Sequence, residues 1–297
     1  MEKTWSELAY GKLNLALDIV GKRSDGYHLV RMIMQTVGIY DEITITQTRE
    51  KGIHIQTEGN LVPADETNLA FRAAKAMCSL YGIQDGLNIH LTKQIPVGAG
   101  MGGGSADAAA VLRLLRRMYD LPVSNEELRK QSLSLGADVP YCIEGGTRLC
   151  EGIGEELTAL PSFPSCTFLI VRPEYAVSTA WVYREYDHIP EKEIDHPDVD
   201  QMVKAIQNKD LSQICALLKN VLEQETGTAY PKIKEIEKFF LSHGAKGSIM
   251  TGSGSAVYGI YDDKEKADWA YASLLAEPAY QNCMKLKTEP VFPSSSD

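Results

Sequence analysis

A glycine-rich segment leads into a run of small and apolar residues between positions 96 and 115. Five of the seven residues at 98–104 are glycine, which raises the entropy lost on folding and buries almost no apolar surface. Backbone N–H groups without flanking side chains can approach an anion closely, and a helix N-terminus adds partial positive charge. The segment therefore predicts a phosphate-binding loop and favours a nucleotide enzyme.

Three other interpretations of this loop fit the sequence less well. A Walker loop ends in Lys-Ser or Lys-Thr, whereas this loop ends in Gly-Ser-Ala at 104–106. The dinucleotide fingerprint matches Gly98-x-Gly100-x-x-Gly103, but the acidic Asp120 follows a helix instead of a second strand. A flexible linker is disfavoured because the loop joins a patterned strand to a patterned helix.

Two further segments carry residue types suited to phosphate chemistry. Lys12 and Asn14 lie two positions apart, so a strand places both on one face. Taken alone, Lys12 is interpreted equally well as a solvated lysine on an edge strand. Residues 250–256 form a second loop of glycines and hydroxyl residues, which by itself is more typical of a hairpin turn.

Together these segments resemble the three motifs of the GHMP kinases, small-molecule kinases of the galactose, homoserine, mevalonate and phosphomevalonate type. Other motifs resemble one branch of this family. Lys-Leu-Asn-Leu at 12–15 is followed by Gly-Lys-Arg-Ser-Asp-Gly-Tyr-His at 21–28, a run far more specific than any glycine loop. The segments 136–140, 145–147 and 177–183 resemble the same branch, so the resemblance spans nearly the whole chain.

The resemblance implies an α+β, two-lobed GHMP kinase fold. It implies an N-terminal ATP-binding lobe, a C-terminal ferredoxin-like lobe and an active site in the cleft between them. Leu-Pro-Ser-Phe-Pro at 160–164 is a candidate boundary, since neither a helix nor a central strand accommodates two prolines well. We therefore expect an N-terminal domain over residues 1–160 and a C-terminal domain over residues 161–297.

The reaction implied by the resemblance moves the γ-phosphate of ATP to the 2-hydroxyl of a cytidine-diphosphate-linked methylerythritol. This reaction belongs to the non-mevalonate route to isoprenoid precursors. Asp138 would be the general base, although a lone aspartate after Gly-Ala at a turn is more typical of a turn or cap residue. Lys12 would keep that carboxylate ionised and offset developing charge.

The same resemblance assigns binding roles to other residues. Tyr27 and Tyr183 would stack on the cytosine, His28 would hydrogen-bond it, and Asn14 and Thr179 would line the polyol. The triphosphate of ATP would be held by the glycine loop and by the later loop. These residues are Pro96, Val97, Gly98, Ala99, Gly100, Met101, Gly102, Gly103, Gly104, Ser105, Ala106, Gly252, Ser253 and Gly254.

Two residues depart from the expected phosphate site. Many members have two serines after the last glycine, whereas this chain has Ser105 and then Ala106, which removes one hydroxyl. Asp107 adds a negative charge at the helix start, and we expect it to point away from the nucleotide. No cluster of acidic residues has metal-ligand spacing, so no metal site in the protein is expected and Mg²⁺ would arrive with ATP.

Two alternative functions stay open from the sequence. The first is another GHMP kinase with a different alcohol as acceptor, which Tyr27, His28 and Tyr183 argue against because a small acid or sugar offers no base to stack. The second is a GHMP-type protein that binds nucleotide and signals without catalysis. Such a protein could lose Lys12 or Asp138, and both are present.

The elements that would position these residues follow from local patterns. Helix starts and stops are indicated at Asn68, at Gly82 and by a Ser124–Glu127 capping box. Strands are predicted at 8–20, 29–46, 53–57, 87–91, 166–171, 247–250, 256–261 and 283–288. Helices are predicted at 68–81, from the loop to about 120, from 124, at 198–224, from Pro231 as the first helical residue to Gly244, and at 263–275.

Composition narrows the class of partner and compartment. The 297 residues are 44% apolar and 24% charged, which is typical of a globular protein. A formal net charge of −10 argues against nucleic acid or an anionic membrane as the main partner and leaves a small-molecule substrate. Six separated cysteines without a Cys-x-x-Cys pair, and no apolar leader, predict reduced thiols in a cytoplasmic protein. A monomer or a homodimer is expected.

Overall fold

The computed structural model describes residues 3–59 and 62–292. Packing divides the chain into two compact units, each built from separate stretches. The first unit contains the described parts of 1–11, 39–97 and 102–145, and the second contains 12–38, 98–101 and the described residues from 146 onward. The linear division into 1–160 and 161–297 stays a prediction.

The strands form two sheets. Their bounds are β1 Thr4–Lys22, β2 His28–Thr48, β3 Ile53–Gly59, β4 Gly86–Lys93, β5 Thr147–Glu151, β6 Glu156–Ala159, β7 Thr167–Arg172, β8 Lys219–Asn220, β9 Gly247–Met250, β10 Val257–Tyr261 and β11 Met284–Thr288. The first sheet has the order β3-β4-β2-β1-β8, with β5 beside β2 and β6 beside β5. The second has the order β11-β7-β10-β9 and is antiparallel throughout.

Ten α-helices lie in the described residues. They are α1 Leu69–Tyr81, α2 Gly103–Met118, α3 Asn125–Ser132, α4 Val139–Glu144, α5 Thr179–Tyr186, α6 Val199–Gln207, α7 Leu211–Ala216, α8 Glu223–Ala229, α9 Lys232–Ser242 and α10 Lys264–Ala276. In the first unit, α1 packs on α2 and α2 packs on α4. In the second unit, α9 packs on β9 and β10.

Local signals specify the helices of the first unit well. Asn68 caps α1 by accepting a 2.9 Å hydrogen bond from the Ala70 amide, and Gly82 ends it in the left-handed region at φ 66°. Ser124 and Glu127 form the capping box of α3, with both reciprocal bonds present. The predicted helix starts and stop are therefore confirmed.

The core of the second unit forms where α9 covers the second sheet. Phe240 of α9 is fully buried with Leu169, Val171 and Val257 from the strands. A Cβ on Gly259 would lie 2.8 Å from the Phe240 ring, so only glycine lets the ring pack flat on β10. This apolar layer anchors the end of β9, from which the second glycine–hydroxyl loop begins.

The prediction of one continuous helix over 198–224 is wrong. Lys209 adopts a positive φ of 55°, and Asp210 then caps α7 by accepting a hydrogen bond from the Gln213 amide. Residues 219–220 form β8, which pairs in parallel with β1 at Ala16 and Leu17. Pairing with a strand two hundred residues earlier overrides the local preference for helix.

Further differences concern short elements and one helix end. The structure adds α4, α5, β5 and β6, which the sequence patterns did not predict as elements. These helices have eight residues or fewer, and these strands have five or fewer. Pro231 is the N-cap of α9 instead of its first helical residue. All six cysteines are free thiols, as predicted. No helix in the described part of the chain is long and apolar enough to cross a membrane.

Candidate active site

Lys12 and Asn14 lie together inside the second unit. Lys12 is 4% exposed and Asn14 1% exposed, and the Lys12 Nζ donates a 2.6 Å hydrogen bond to Asn14 Oδ1. The alternative of a solvated edge lysine is therefore wrong, since β1 lies between β2 and β8. A buried ammonium costs free energy unless it is paired or hydrogen-bonded, so this arrangement is typical of a functional lysine.

The backbone and side chain of Asn14 are both held by partners distant in sequence. The Asn14 amide donates to Thr251 Oγ1 at 3.0 Å, and its carbonyl accepts from the Tyr258 hydroxyl at 2.8 Å. Its side-chain Nδ2 lies 3.4 Å from the sulfur of Met32. Asn14 therefore presents its Oδ1 to Lys12 in one defined orientation.

The loop at 251–256 joins the antiparallel strands β9 and β10, as a hairpin connection does. It is also tied to other elements of the second unit. Asn220 Nδ2 donates to the carbonyls of Met250 and Gly252 at 3.1 and 2.8 Å, and the hydroxyls of Ser253 and Thr179 lie 2.8 Å apart. The structure thus brings together Thr179, which the sequence assigned to the polyol, and Ser253, which the sequence assigned to the triphosphate.

The glycine loop owes part of its composition to close packing within the chain. Gly98 and Gly100 have φ values of 66° and 74°. A Cβ on Gly98 would lie 2.8 Å from that of Ala176, and a Cβ on Gly100 would overlap the carbonyl oxygen of Thr251. The sequence predicts that these glycines bind phosphate. The structure shows that close packing within the protein also requires glycine at both positions.

The second half of the loop starts helix α2 in the first unit. Gly102, at φ 71°, is the N-cap, and no side chain caps the helix. The first N–H groups of a helix have no partner within it, so those that follow Gly102 point toward the loop side of the helix. A Cβ on Gly103 would lie 3.1 Å from Ile95 Cγ2 and 3.3 Å from Lys93 Nζ, so this glycine too is required by packing.

A buried ion cluster, which sequence reasoning missed, holds the start of the loop. Lys93 Nζ donates to Asp107 Oδ2 at 2.7 Å and makes a shorter bond to Asp41 Oδ2. Asp41 Oδ1 also accepts from the amides of Gln94 and Ile95 at 2.6 and 2.8 Å. The Asp107 carboxylate therefore lies in the interior against Lys93. Lys93, three residues before the loop, and Asp107, directly after it, were the available sequence signal.

One ammonium between two carboxylates leaves this cluster with excess negative charge. Burial, the largest cause, and the neighbouring Asp41 raise the pKa of Asp107 to about 8, although Lys93 acts in the opposite direction. Oδ1 of Asp107 has no hydrogen-bond partner among the described residues. The cluster therefore retains a proton at a pH where exposed carboxyl groups have lost theirs.

Asp138 stands at the N-cap position of α4, also in the first unit. Its carboxylate makes no capping hydrogen bond, so the interpretation as a helix cap does not account for the side chain. A Cβ on Gly136 would lie 3.7 Å from Ser105 Oγ, which places the turn before Asp138 beside the first turn of α2. Two of the predicted site segments thus meet within the first unit.

An aromatic group lies at the turn between β1 and β2 in the second unit. The rings of His28 and Tyr183 have centroids 4.9 Å apart at an angle of 40°. Tyr27, one residue earlier, is 59% exposed, which is unusual for a tyrosine that serves only packing. The structure therefore brings His28 and Tyr183 together and leaves Tyr27 accessible beside them in the chain.

The fold agrees with comparisons to known proteins. The model of the GHMP kinases N terminal domain matches residues 68–146, and that of the GHMP kinases C terminal domain matches residues 202–280. This chain belongs to the GHMP kinases. The family and the fold class expected from the sequence are thus confirmed.

Similar proteins carry a more specific name. A 4-diphosphocytidyl-2-C-methyl-D-erythritol kinase of Clostridium beijerinckii is 46% identical over 89% of this chain and 93% of its own length. One from Lachnoclostridium phytofermentans is 47% identical over 89% of this chain and 90% of its own length. The crystal structure of a 4-(cytidine 5'-diphospho)-2C-methyl-D-erythritol kinase superposes with a TM-score of 0.80 at 31% identity, over 97% of this chain and 100% of that one.

The charge of the ion cluster predicts a pH dependence of stability. Because the native pKa of Asp107 lies near 8 and an unfolded carboxyl titrates near 4, the native state holds an extra proton between these values. The free energy of unfolding should therefore fall as the pH rises from 5 to 8, by at most about 1.4 kcal/mol per pH unit from this group. Asp107→Asn should flatten that slope, as measured by urea unfolding at each pH.

Glu126→Gln is the matched control for this prediction. Glu126 is an exposed carboxylate of the same unit, and its amide variant should keep the slope of the wild-type protein. Equal slopes in the wild-type protein and Asp107→Asn would contradict the shared-proton description of the cluster.

Proposed function

We propose that this protein transfers the γ-phosphate of ATP to the 2-hydroxyl of 4-diphosphocytidyl-2-C-methyl-D-erythritol, a step of the non-mevalonate route to isoprenoid precursors. The main support for this proposal is that one compact unit contains both the buried Lys12–Asn14 pair and the His28–Tyr183 pair. The first pair suits phosphoryl transfer and the second suits an aromatic base. The names of the relatives at 46 and 47% identity support the same assignment.

In this proposal residues 96–106 and 252–254 surround the triphosphate and bind it mainly through backbone N–H groups, which Pro96 lacks. Positive φ values at Gly98, Gly100, Gly102, Gly252 and Gly254 support it, because such backbone turns successive N–H groups toward a common point. Ser105, in the first turn of α2, adds a hydroxyl that can donate to a phosphate oxygen. Positioning and charge neutralisation are the main requirements of phosphoryl transfer.

Magnesium is treated as part of the ATP substrate. Among residues 3–59 and 62–292, no three or more histidine, cysteine, aspartate or glutamate side chains are grouped so as to hold a metal ion. Mg²⁺ commonly binds phosphate oxygens and keeps several water molecules, which needs few protein ligands. We assign the ion to the triphosphate, whose oxygens would hold it.

The acceptor hydroxyl must lose a proton as the new bond to phosphorus forms. We assign Asp138 as the base that takes this proton, supported by the position of the preceding turn beside the first turn of α2. Lys12 supplies positive charge that stabilises the ionised base and the transferring phosphoryl group. Asn14 and Thr179, both with defined hydrogen-bond partners, are assigned to the polyol of the acceptor.

The cytosine is assigned to the aromatic group at the β1–β2 turn. Tyr27 and Tyr183 supply two ring faces for stacking, and His28 supplies a polar edge for hydrogen bonding. This assignment favours a nucleotide-linked acceptor over mevalonate or homoserine, which contain no ring to stack. The aromatic group of Tyr27, His28 and Tyr183 is therefore the feature that distinguishes the proposed reaction from those of the other GHMP kinases.

Release of ADP by the purified protein tests the substrate directly. We expect ADP with 4-diphosphocytidyl-2-C-methyl-D-erythritol and only background release with mevalonate or homoserine. ADP with mevalonate or homoserine alone would support a different kinase of the family. No ADP with any acceptor, together with tight ATP binding, would support a non-catalytic nucleotide-binding protein.

Replacement of the base should separate chemistry from binding. Asp138→Asn should lower kcat by at least about 100-fold, since general-base catalysis contributes that much or more, while the Kd for ATP changes little. Asp120→Asn is the matched control, because Asp120 is an aspartate of the same unit at a positive φ that asparagine tolerates. Turnover of Asp138→Asn near that of the control would remove Asp138 from the mechanism.

Loss of a stacking ring should weaken binding of the acceptor. Tyr27→Ala should raise its KM by about 10-fold or more and leave the KM for ATP unchanged, as expected when one base-stacking contact is lost. Trp269→Ala is the control, since Trp269 is 58% exposed, close to the 59% of Tyr27, but lies on α10. Steady-state kinetics with both substrates give the comparison, and an unchanged acceptor KM would exclude Tyr27 from the cytosine site.

A further inference from the structure

The imidazole of His28 is hydrogen-bonded to the carboxylate of Asp187, which lies 159 positions later in the chain. His28 begins β2, and its Nε2 lies 2.7 Å from Oδ1 of Asp187, the residue that ends α5. The other oxygen of Asp187 accepts a 2.5 Å hydrogen bond from Lys22 Nζ. All three residues belong to the second unit. The contact therefore links the β1–β2 turn to the end of the helix that carries Tyr183.

The chemistry of this contact decides which ring nitrogen carries the hydrogen. Burial alone would raise the pKa of Asp187, but hydrogen bonds from Lys22 and His28 together hold that pKa below its ordinary value. An ionised carboxylate only accepts hydrogen bonds, so Nε2 must be the nitrogen that donates. Lys22 already balances the charge of Asp187, so the contact requires only the hydrogen on His28 Nε2.

A neutral imidazole with its hydrogen on Nε2 has an unprotonated Nδ1. Within the described residues, no hydrogen bond reaches Nδ1, and the His28 side chain keeps 11% of its surface exposed. Ring contacts with Tyr183 at 4.9 Å and with Tyr186 at 6.4 Å limit rotation of the imidazole. His28 therefore presents a hydrogen-bond acceptor in a fixed direction.

We propose that Asp187 sets the tautomer of His28 and thereby makes the site selective for cytosine over uracil. The inference rests on the proposed function, in which His28 hydrogen-bonds the base. Cytosine carries an amino group at its 4-position, which donates to an acceptor, whereas uracil carries an oxygen there, which cannot. An unprotonated Nδ1 pairs with the amino group and leaves the uracil oxygen unpaired and repelled.

Asp187 is a positioning residue in this scheme, since it acts on the base only through His28. Asp187→Asn should reverse the direction of the hydrogen bond between residue 187 and His28 Nε2. Lys22 can only donate, so the asparagine oxygen stays on Lys22 and its amide NH₂ turns to His28. Nε2 must then accept, the hydrogen moves to Nδ1, and His28 presents a donor that suits uracil.

The tautomer can be measured without any substrate. In protein with ¹⁵N-labelled histidine at pH 8, nitrogen chemical shifts distinguish protonated from unprotonated Nδ1, and His28→Gln assigns the His28 signals by their loss. We expect the wild-type protein to show Nδ1 without hydrogen and Asp187→Asn to show the reverse. A wild-type spectrum with hydrogen on Nδ1 would overturn the proposal, even if the variant failed to fold.

The substrate preference is measured by kcat/KM for the cytidine substrate and its uridine counterpart. Asp187→Asn should reduce the preference for cytidine by at least about 10-fold, mainly through KM, because the hydrogen bond to the 4-position is exchanged for a mismatch. Glu185→Gln is the matched control, as Glu185 lies on the same helix, bonds Arg184 and does not contact His28. Its base preference and its His28 tautomer should equal those of the wild-type protein.

The outcomes separate this inference from the proposed function. If the wild-type protein releases no ADP with the cytidine substrate, the proposed function fails, and the labelled spectrum still decides whether Asp187 sets the tautomer. If the wild-type protein turns over normally and Asp187→Asn keeps its base preference, the inference fails and the proposed function stands. An unchanged tautomer in a folded Asp187→Asn protein would also overturn it.

Discussion

The burial of Lys93 between Asp41 and Asp107 is the interaction on which the glycine loop depends. A segment with so many glycines has little to hold it in place, because each glycine loses much conformational entropy on folding and offers no side chain to pack. The cluster holds both ends of the stretch, since Asp41 binds the amides at the loop entry and Asp107 lies in the first turns of α2. Removal of Lys93 would leave buried carboxyl groups without a counter-charge, which costs far more than an exposed ion pair contributes.

The glycines of the loop serve different physical needs. Gly100 is required because its backbone lies against the carbonyl of Thr251, and Gly103 because it packs on Ile95 and Lys93. Gly102 supplies the positive φ at which α2 begins. The conformation of the loop is thus fixed largely by packing within the protein. A preformed loop of this kind loses little further entropy when it binds an anion.

The run at 21–28 shows how a local motif depends on distant partners. Its residues are adjacent in the chain, but its histidine is oriented by Asp187 and faces Tyr183, both more than 150 residues later. The motif therefore contains the residues that we propose to bind the base, whereas the hydrogen-bond partner of the imidazole comes from another element. The same division applies to Asn14, which is held by Thr251 and Tyr258.

The features that could be predicted from the sequence alone are mostly local. Asn68, Gly82 and the Ser124 capping box set the ends of helices, because caps act over three or four residues, and the motifs identified the family. Only the tertiary structure decided that Lys12 is buried, that residues 219–220 form a strand beside β1, and that Lys93 joins two carboxylates. Burial, strand pairing and charge pairing each depend on residues far apart in the chain, and no local pattern records which of them meet.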